Sequence, residues 1–267
     1  MRNLAARLLS EQGMRTTGTA VMERMQDQSI DAGLSVDAIR RELSGTMVGQ
    51  MLHVYGTIDS TNARLARLAK AGAPDGTVVL ADAQTAARGR RGIPWFSPSG
   101  VNLYASALFR RPLAAKDLPV FTFIMALAMV DAVDEVGLHA AIKWPNDILV
   151  GRKKVAGGLA ECAMRGDVVD YVILGAAANL NVTSAALAQA LGPTDHVATS
   201  LAELTGAPID RNAFAASYLR ALDEWAAVYD ARGPQVVLAA WRDREILGAR
   251  RVEVRGTVGE IRVEDET

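Results

Sequence analysis

An α+β domain, a mixed β-sheet with flanking helices, is the architecture this 267-residue sequence predicts. Three observations carry the prediction. Strand-like runs recur at 77–81, 101–109, 153–163 and 168–176, and the last two read as a hairpin turned by Arg165, Gly166 and Asp167. Residues 118–136 read as one long buried helix whose apolar run is too short to span a bilayer. There is no Gly-x-x-x-x-Gly-Lys-Ser/Thr loop and no strand–Gly-x-Gly-x-x-Gly–helix unit, which excludes the common nucleotide-binding folds. With 50% hydrophobic residues the chain can bury a substantial core, and its length suits one large domain with a small appendage.

Charge narrows the function class. The 29 basic and 30 acidic residues leave a net charge of −1, whereas a chain built to coat nucleic acid is usually clearly basic. Cys162 is the one cysteine, so no intrachain disulfide forms, and its apolar setting reads as a small core residue. His53, His139 and His196 lie far apart and have no metal-ligand spacing. No basic segment followed by an apolar core opens the sequence, and a cytoplasmic location is the expectation.

In order, residues 1–45 read as an N-terminal extension, polar and Met-rich, disordered or frayed up to 33. A short helix at 36–43 follows, capped by Ser35 and stopped by Gly45. It has no convincing recognition helix beside it, which argues against an operator-binding role. A strand at 51–55 leads to Ser60, which caps a helix with Leu65, Leu68 and Ala69 on one face. Pro74, Asp75 and Gly76 turn the chain into the strand at 77–81. After the long helix, strands at 140–144 and 148–150 flank Pro145, Asn146 and Asp147. Helices at 211–230 and 235–246 complete a domain over 46–247, and two short strands at 251–254 and 260–263 follow.

The stretch 84–98 hangs between two strands, where binding loops usually sit. It carries Arg88, Arg90 and Arg91 with no acidic residue, has Gly89 and Gly92, and closes on Trp95 and Phe96. Arginine forks grip phosphate bidentately, and glycines let backbone N–H groups approach an anion. The chemistry is that of an anion clamp; a solvated basic turn is the plain alternative.

A second stretch decides between them. Lys143, Trp144, Pro145, Asn146 and Asp147 precede Lys153, Lys154 and the Gly157-Gly158 pair. With Ser60-Thr61-Asn62 upstream and Gly175 to Asn181 downstream, these stretches closely resemble the catalytic core of biotin–protein ligases, over about 52–247. The resemblance implies a class II aminoacyl-tRNA synthetase-like fold, that of the biotin and lipoate ligase catalytic domain. It makes residues 248–267 the incomplete start of a small C-terminal SH3-like β lobe. The implied reaction joins biotin to ATP as biotinyl-5'-AMP, with Mg2+, and then passes the biotinyl group to a lysine. The acceptor is a biotin carboxyl carrier domain of a biotin-dependent carboxylase. No membrane or nucleic-acid partner is implied, and a homodimer is compatible.

Residue by residue, the resemblance puts Lys154 at the centre, touching the biotin carboxylate and the α-phosphate. Arg90 orders the loop over the adenylate, and Asp147 pairs with a loop arginine. Ser60, Thr61, Asn62, Gln84, Arg88, Gly89 and Gly157 join Arg90 and Lys154 on biotin. Arg88, Arg90, Arg91, Trp95, Lys143, Asn146 and Asn179 serve ATP, with magnesium near Asn179. Gly157 and Gly158 let the sheet approach the ligand.

Three positions depart from the family pattern: Ala87 and Ala177 stand where glycine is usual, and Ile93 where a basic residue is usual. A positive φ at Ala87 would strain it, so Ala87→Gly is expected to tighten biotin binding. Two rival functions stay open. One is a lipoate or octanoate ligase-like enzyme on the same fold, and the other a regulator whose arginines bind nucleic-acid phosphates.

Overall fold

A computed structural model of the chain describes residues 33–43, 45–111, 113, 115–192 and 197–246, and the backbone of two strands at 252–255 and 260–263. The reading of residues 1–32 lies outside the described residues.

Helix α1 (Val36–Glu42) starts where the Ser35 hydroxyl accepts from the Ala38 N–H, as its cap position requires. Strand β1 (Leu52–Ile58) leads into α2 (Thr61–Lys70), which begins at Ser60. Next come β2 (Val78–Gln84), β3 (Leu103–Phe109) and α3 (Leu118–Glu135). The hairpin β4 (Ala140–Lys143) and β5 (Asp147–Val150) precedes the longer hairpin β6 (Lys153–Arg165) and β7 (Val168–Ala178). Helices α4 (Ser184–Leu191), α5 (Leu201–Thr205), α6 (Arg211–Arg232) and α7 (Pro234–Arg244) follow. Strands β8 (Val252–Arg255) and β9 (Glu260–Val263) pair antiparallel.

The main sheet has seven strands in the order β1-β2-β3-β7-β6-β5-β4. Only β1 and β2 run parallel, and the other pairs are antiparallel, so the sheet is mixed and the class α+β. All seven residues of β3 are buried, as suits a central strand covered on both faces. Helix α2 packs on β2, β3 and β7, while α3 lies against β4 to β7 and is itself backed by α6 and α7. The main core sits under α3 and α6, where Phe121, Ile124, Tyr218 and Trp225 are each at most 1% exposed.

One expectation fails here. Cys162 is exposed rather than a core residue. Strand β5 pairs only with the first turn-proximal residues of β6, up to Ala156, and the far half of β6 has β7 alone beside it. Among the described residues, no helix is long and apolar enough to cross a membrane.

Candidate functional site

The basic loop leaves β2 and returns to β3 as a small folded unit. The Gly89 N–H donates to the Ile93 carbonyl and the Trp95 N–H to the Ala87 carbonyl, at 2.7 and 3.1 Å. Between them Arg90–Gly92 forms a single tight turn in which Arg91 takes left-handed backbone, φ 57°. Arg91 is the only non-glycine residue with positive φ among the described residues. Ala87 is therefore unstrained, and the expected strain at that position is absent.

The loop covers one end of a cavity of about 730 Å3. Ser60, Thr61, Asn62, Gln84, Arg88, Gly89, Arg90, Arg91 and Trp95 line it, with Lys143, Asn146, Asp147, Lys154 and Gly157 opposite. The motifs thus meet in one space although the lining runs from Ser60 to Ala177, because α2, the loop, the β4–β5 turn, β6 and β7 converge there.

Two clusters hold the lining residues in place. In the first, Lys154 Nζ lies 2.6 Å from Asp147 Oδ1 and 5.2 Å from the centre of the Trp95 ring. Register puts the pair together: β5 and β6 are antiparallel, with Leu149 opposite Lys154 and an irregularity at Ile148. Asp147 therefore holds Lys154 and not, as the motif suggests, a loop arginine. Arg90 instead lies over the exposed ring of Trp144, its guanidinium carbon 5.7 Å from the ring centre. Asn146 is 3% exposed and donates through Nδ2 to the Gly158 carbonyl at 2.5 Å, fastening this turn to β6.

The second cluster is a chain of polar side chains. The Gln84 Oε1 atom accepts from the Thr61 N–H at 2.9 Å and its hydroxyl at 3.2 Å, and Gln84 Nε2 donates to Ser97 Oγ. The buried Ser106 hydroxyl lies 2.8 Å from Thr61 Oγ1 and 2.6 Å from Asn62 Oδ1. Asn62 Nδ2 donates to Glu161 Oε2 at 2.7 Å, and Glu161 Oε1 accepts from Arg88 at 3.0 Å. Just before Ser60 the Arg67 fork grips Asp59 and holds its carboxyl down at about 2, which steadies the start of α2. Ser106 and Glu161 carried no sequence signal of their own; only the fold, which brings them to Thr61, Asn62 and Arg88, marks them.

Other expectations need correcting. Asn179 is not among the lining residues: it is 3% exposed and its side chain donates to the Thr199 carbonyl. Gly158 also lines the cavity, but its missing side chain makes room for Met125, where a Cβ would come within 2.3 Å of the sulfur. Gly157 turns its Cβ position to the cavity side, 3.3 Å from Asp147 Oδ1. The indole Nε1 of Trp95 is buried with no hydrogen-bond partner among the described residues. Asp147 is the one carboxylate on the lining, and no group of three His, Cys, Asp or Glu among the described residues is placed to hold a metal ion. That donor set suits magnesium arriving on phosphates as Mg·ATP, not a resident ion.

Comparison with known proteins decides the family. Residues 54–179 match the model of the biotin/lipoate A/B protein ligase family. A biotin–[acetyl-CoA-carboxylase] ligase of Mycobacterium tuberculosis is 35% identical over 232 residues, 82% of this chain and 81% of that one. The chain belongs to the biotin/lipoate A/B protein ligase family. Within it, the bifunctional ligase/repressor BirA of Bacillus subtilis is 37% identical over 179 residues, 67% of this chain. The match spans only 54% of that longer protein. Among solved structures, the biotin protein ligase of Aquifex aeolicus in complex with biotin and ATP superposes with a TM-score of 0.64 at 26% identity. That superposition covers 79% of this chain and 85% of the Aquifex one. The seven-stranded mixed sheet with flanking helices is the family's catalytic fold.

Proposed function

We propose that this chain is a biotin–protein ligase: it forms biotinyl-5'-AMP from biotin and Mg·ATP and transfers the biotinyl group to a lysine. The acceptor in this reading is a carrier domain of a biotin-dependent carboxylase, and the setting is the cytoplasm. One observation carries it. The cavity wall sets five cationic side chains, Arg88, Arg90, Arg91, Lys143 and Lys154, against one carboxylate, and adds the neutral polar groups of Ser60, Thr61 and Gln84. A site of that makeup suits a neutral urea at one end and two anions at the other. The similarity to a biotin–[acetyl-CoA-carboxylase] ligase and to the biotin- and ATP-bound Aquifex structure supports the same substrates.

The first step brings two anions together, so fixed positive charge must offset their repulsion and stabilise the charge that grows on phosphorus. A carboxylate oxygen of biotin attacks the α-phosphorus, and pyrophosphate leaves. Lys154 sits between the two groups, held toward the cavity by Asp147 and Trp95. Arg88 and Arg90 cover the mixed anhydride from the loop and shield it from water. In the second step a neutral lysine amine attacks the acyl carbon, AMP leaves, and the amine proton passes to solvent. Gln84 and Ser60 supply donors and acceptors for the ureido ring. In this reading 46–247 is the catalytic domain, 1–45 an N-terminal extension and 248–267 the start of the small β lobe.

Biotin-dependent exchange of labelled pyrophosphate into ATP tests the proposal. The wild-type chain is expected to catalyse it, and a chain that binds neither biotin nor ATP in calorimetry is not a ligase.

A further inference from the structure

We infer that Glu161 is a positioning residue, which grips Arg88 at the edge of the cavity and leaves its other guanidinium donors for the substrate carboxylate. The inference takes its substrate from the ligase reading and its geometry from the contacts alone. Arg88 lines the cavity and Glu161 does not. The carboxylate stands next to the lining residue Asn62 and engages the arginine through one terminal nitrogen at 3.0 Å. An arginine has five N–H donors in a rigid fork, so one such contact leaves the others for a ligand.

Glu161 is itself held. Its second oxygen accepts from Asn62 Nδ2, whose own carbonyl oxygen is 2.6 Å from the buried Ser106 hydroxyl. From Ser106 the chain runs through Thr61 and Gln84 to Ser97. Ser97 and Gln84 are the two feet of the basic loop, and Arg88 is near its middle. One polar network thus ties the loop to the sheet at three points, and Glu161 is the only member that carries charge to an arginine. The Arg88 side chain is 62% exposed, so without Glu161 no ion pair among the described residues holds its guanidinium off solvent. An acid that instead competed with the substrate for Arg88 would make Glu161→Gln lower the biotin KM rather than raise it.

Wild type, Glu161→Gln, Arg88→Ala and the double variant are compared in biotin titrations read by pyrophosphate exchange. Free wild type and Glu161→Gln are also compared in a trypsin time course. Glutamine keeps an acceptor for Asn62 and removes the charge on Arg88. Glu161→Gln is expected to raise the biotin KM about tenfold, about 1.4 kcal/mol, with kcat within about twofold of wild type. Trypsin is expected to cut it faster after Arg88, with cuts after Arg90 and Arg91 unchanged. The double variant is expected to have the KM of Arg88→Ala alone, since Glu161 acts through that arginine. The inference is overturned if Glu161→Gln has wild-type KM and cleavage, if its KM falls, or if it raises KM as much in the Arg88→Ala background. A wild type without exchange removes the ligase reading and leaves cleavage after Arg88 to decide the grip.

Discussion

Lys154 is held by an acid and an aromatic ring before any ligand arrives, and that fixes what its removal should do. Its ammonium sits 2.6 Å from Asp147, with the two side chains 25% and 29% exposed. Lys154→Ala deletes the charge that faces the reacting centre, and loss of one preorganised donor of this kind costs about 100- to 1000-fold in rate. Pyrophosphate exchange is expected to fall by that much; exchange near wild type would take Lys154 out of the central role. Asp147→Asn keeps a polar contact and loses only the holding charge, so its exchange rate is expected to fall less than that of Lys154→Ala. At Ala87 the backbone has no positive φ, so Ala87→Gly should leave biotin affinity within about twofold, too small a change for a relieved strain near 1 kcal/mol. At this scale the motif residues were legible because chemistry selects their types, but their pairings were not. Asp147 met Lys154 through a strand irregularity, and Asn179 turned to Thr199, neither of which leaves a trace in residue type.

Helix α3 was legible as a buried helix from its unbroken apolar run, and the acid inside it makes stability depend on pH. Asp131 is 5% exposed and accepts from the Trp225 indole at 2.7 Å, with Arg244 at 4.0 Å. Burial raises its carboxyl from 3.8 to about 6. The folded chain holds this proton more tightly than the unfolded one, so the group favours folding most at low pH. That advantage is lost as pH rises from about 4 to about 6, and above it the buried charge is a standing cost. Asp131→Asn keeps an acceptor for Trp225 and cannot ionise. It is expected to be more stable than wild type at pH 8 by on the order of 2–3 kcal/mol, and by about half as much at pH 5. Urea titrations of both proteins at the two pH values check it. Glu224, raised to about 7 by burial, titrates in both proteins and so largely subtracts from the comparison. A stability difference that does not change with pH would mean that Arg244 and Trp225 already compensate the charge. The hairpins were equally legible from their turn residues. The exposure of Cys162 was not, because which strand outruns its neighbour depends on pairing and not on the strand's own composition.

Across the whole molecule, one buried ion pair joins the C-terminal helices to the foot of the basic loop. Arg211, first residue of α6, reaches Asp82 on β2, 129 positions away, with Nη2 at 2.5 Å from Oδ1. Its Nε donates to the Asn102 carbonyl at 3.0 Å, the Ser99 hydroxyl bonds the other Asp82 oxygen, and the Tyr104 hydroxyl donates to the Pro98 carbonyl. The loop's return path is therefore pinned at 99 and 102 by groups that α6 completes, and at 98 by Tyr104. Nothing in the sequence marks this link, since it joins two ordinary charged residues in separate elements. Both side chains are nearly buried, at 9% and 11% exposure, and removing one partner from such a pair leaves an uncompensated charge at a cost of about 3–5 kcal/mol. Arg211→Met is therefore expected to lose about that much stability in urea titration, although methionine retains most of the apolar stem. Asp82→Asn should lose less, because an amide still accepts from Ser99, and Arg211→Met combined with Asp82→Asn should recover part of the single loss. The same variant should loosen the loop's return path, so free Arg211→Met at temperatures where it remains folded is expected to be cut faster by trypsin after Arg90 and Arg91. A loss under about 1 kcal/mol would mean that water reaches Asp82 and solvates it. Stability lost with unchanged cleavage would confine the pair to the core and sever it from the site.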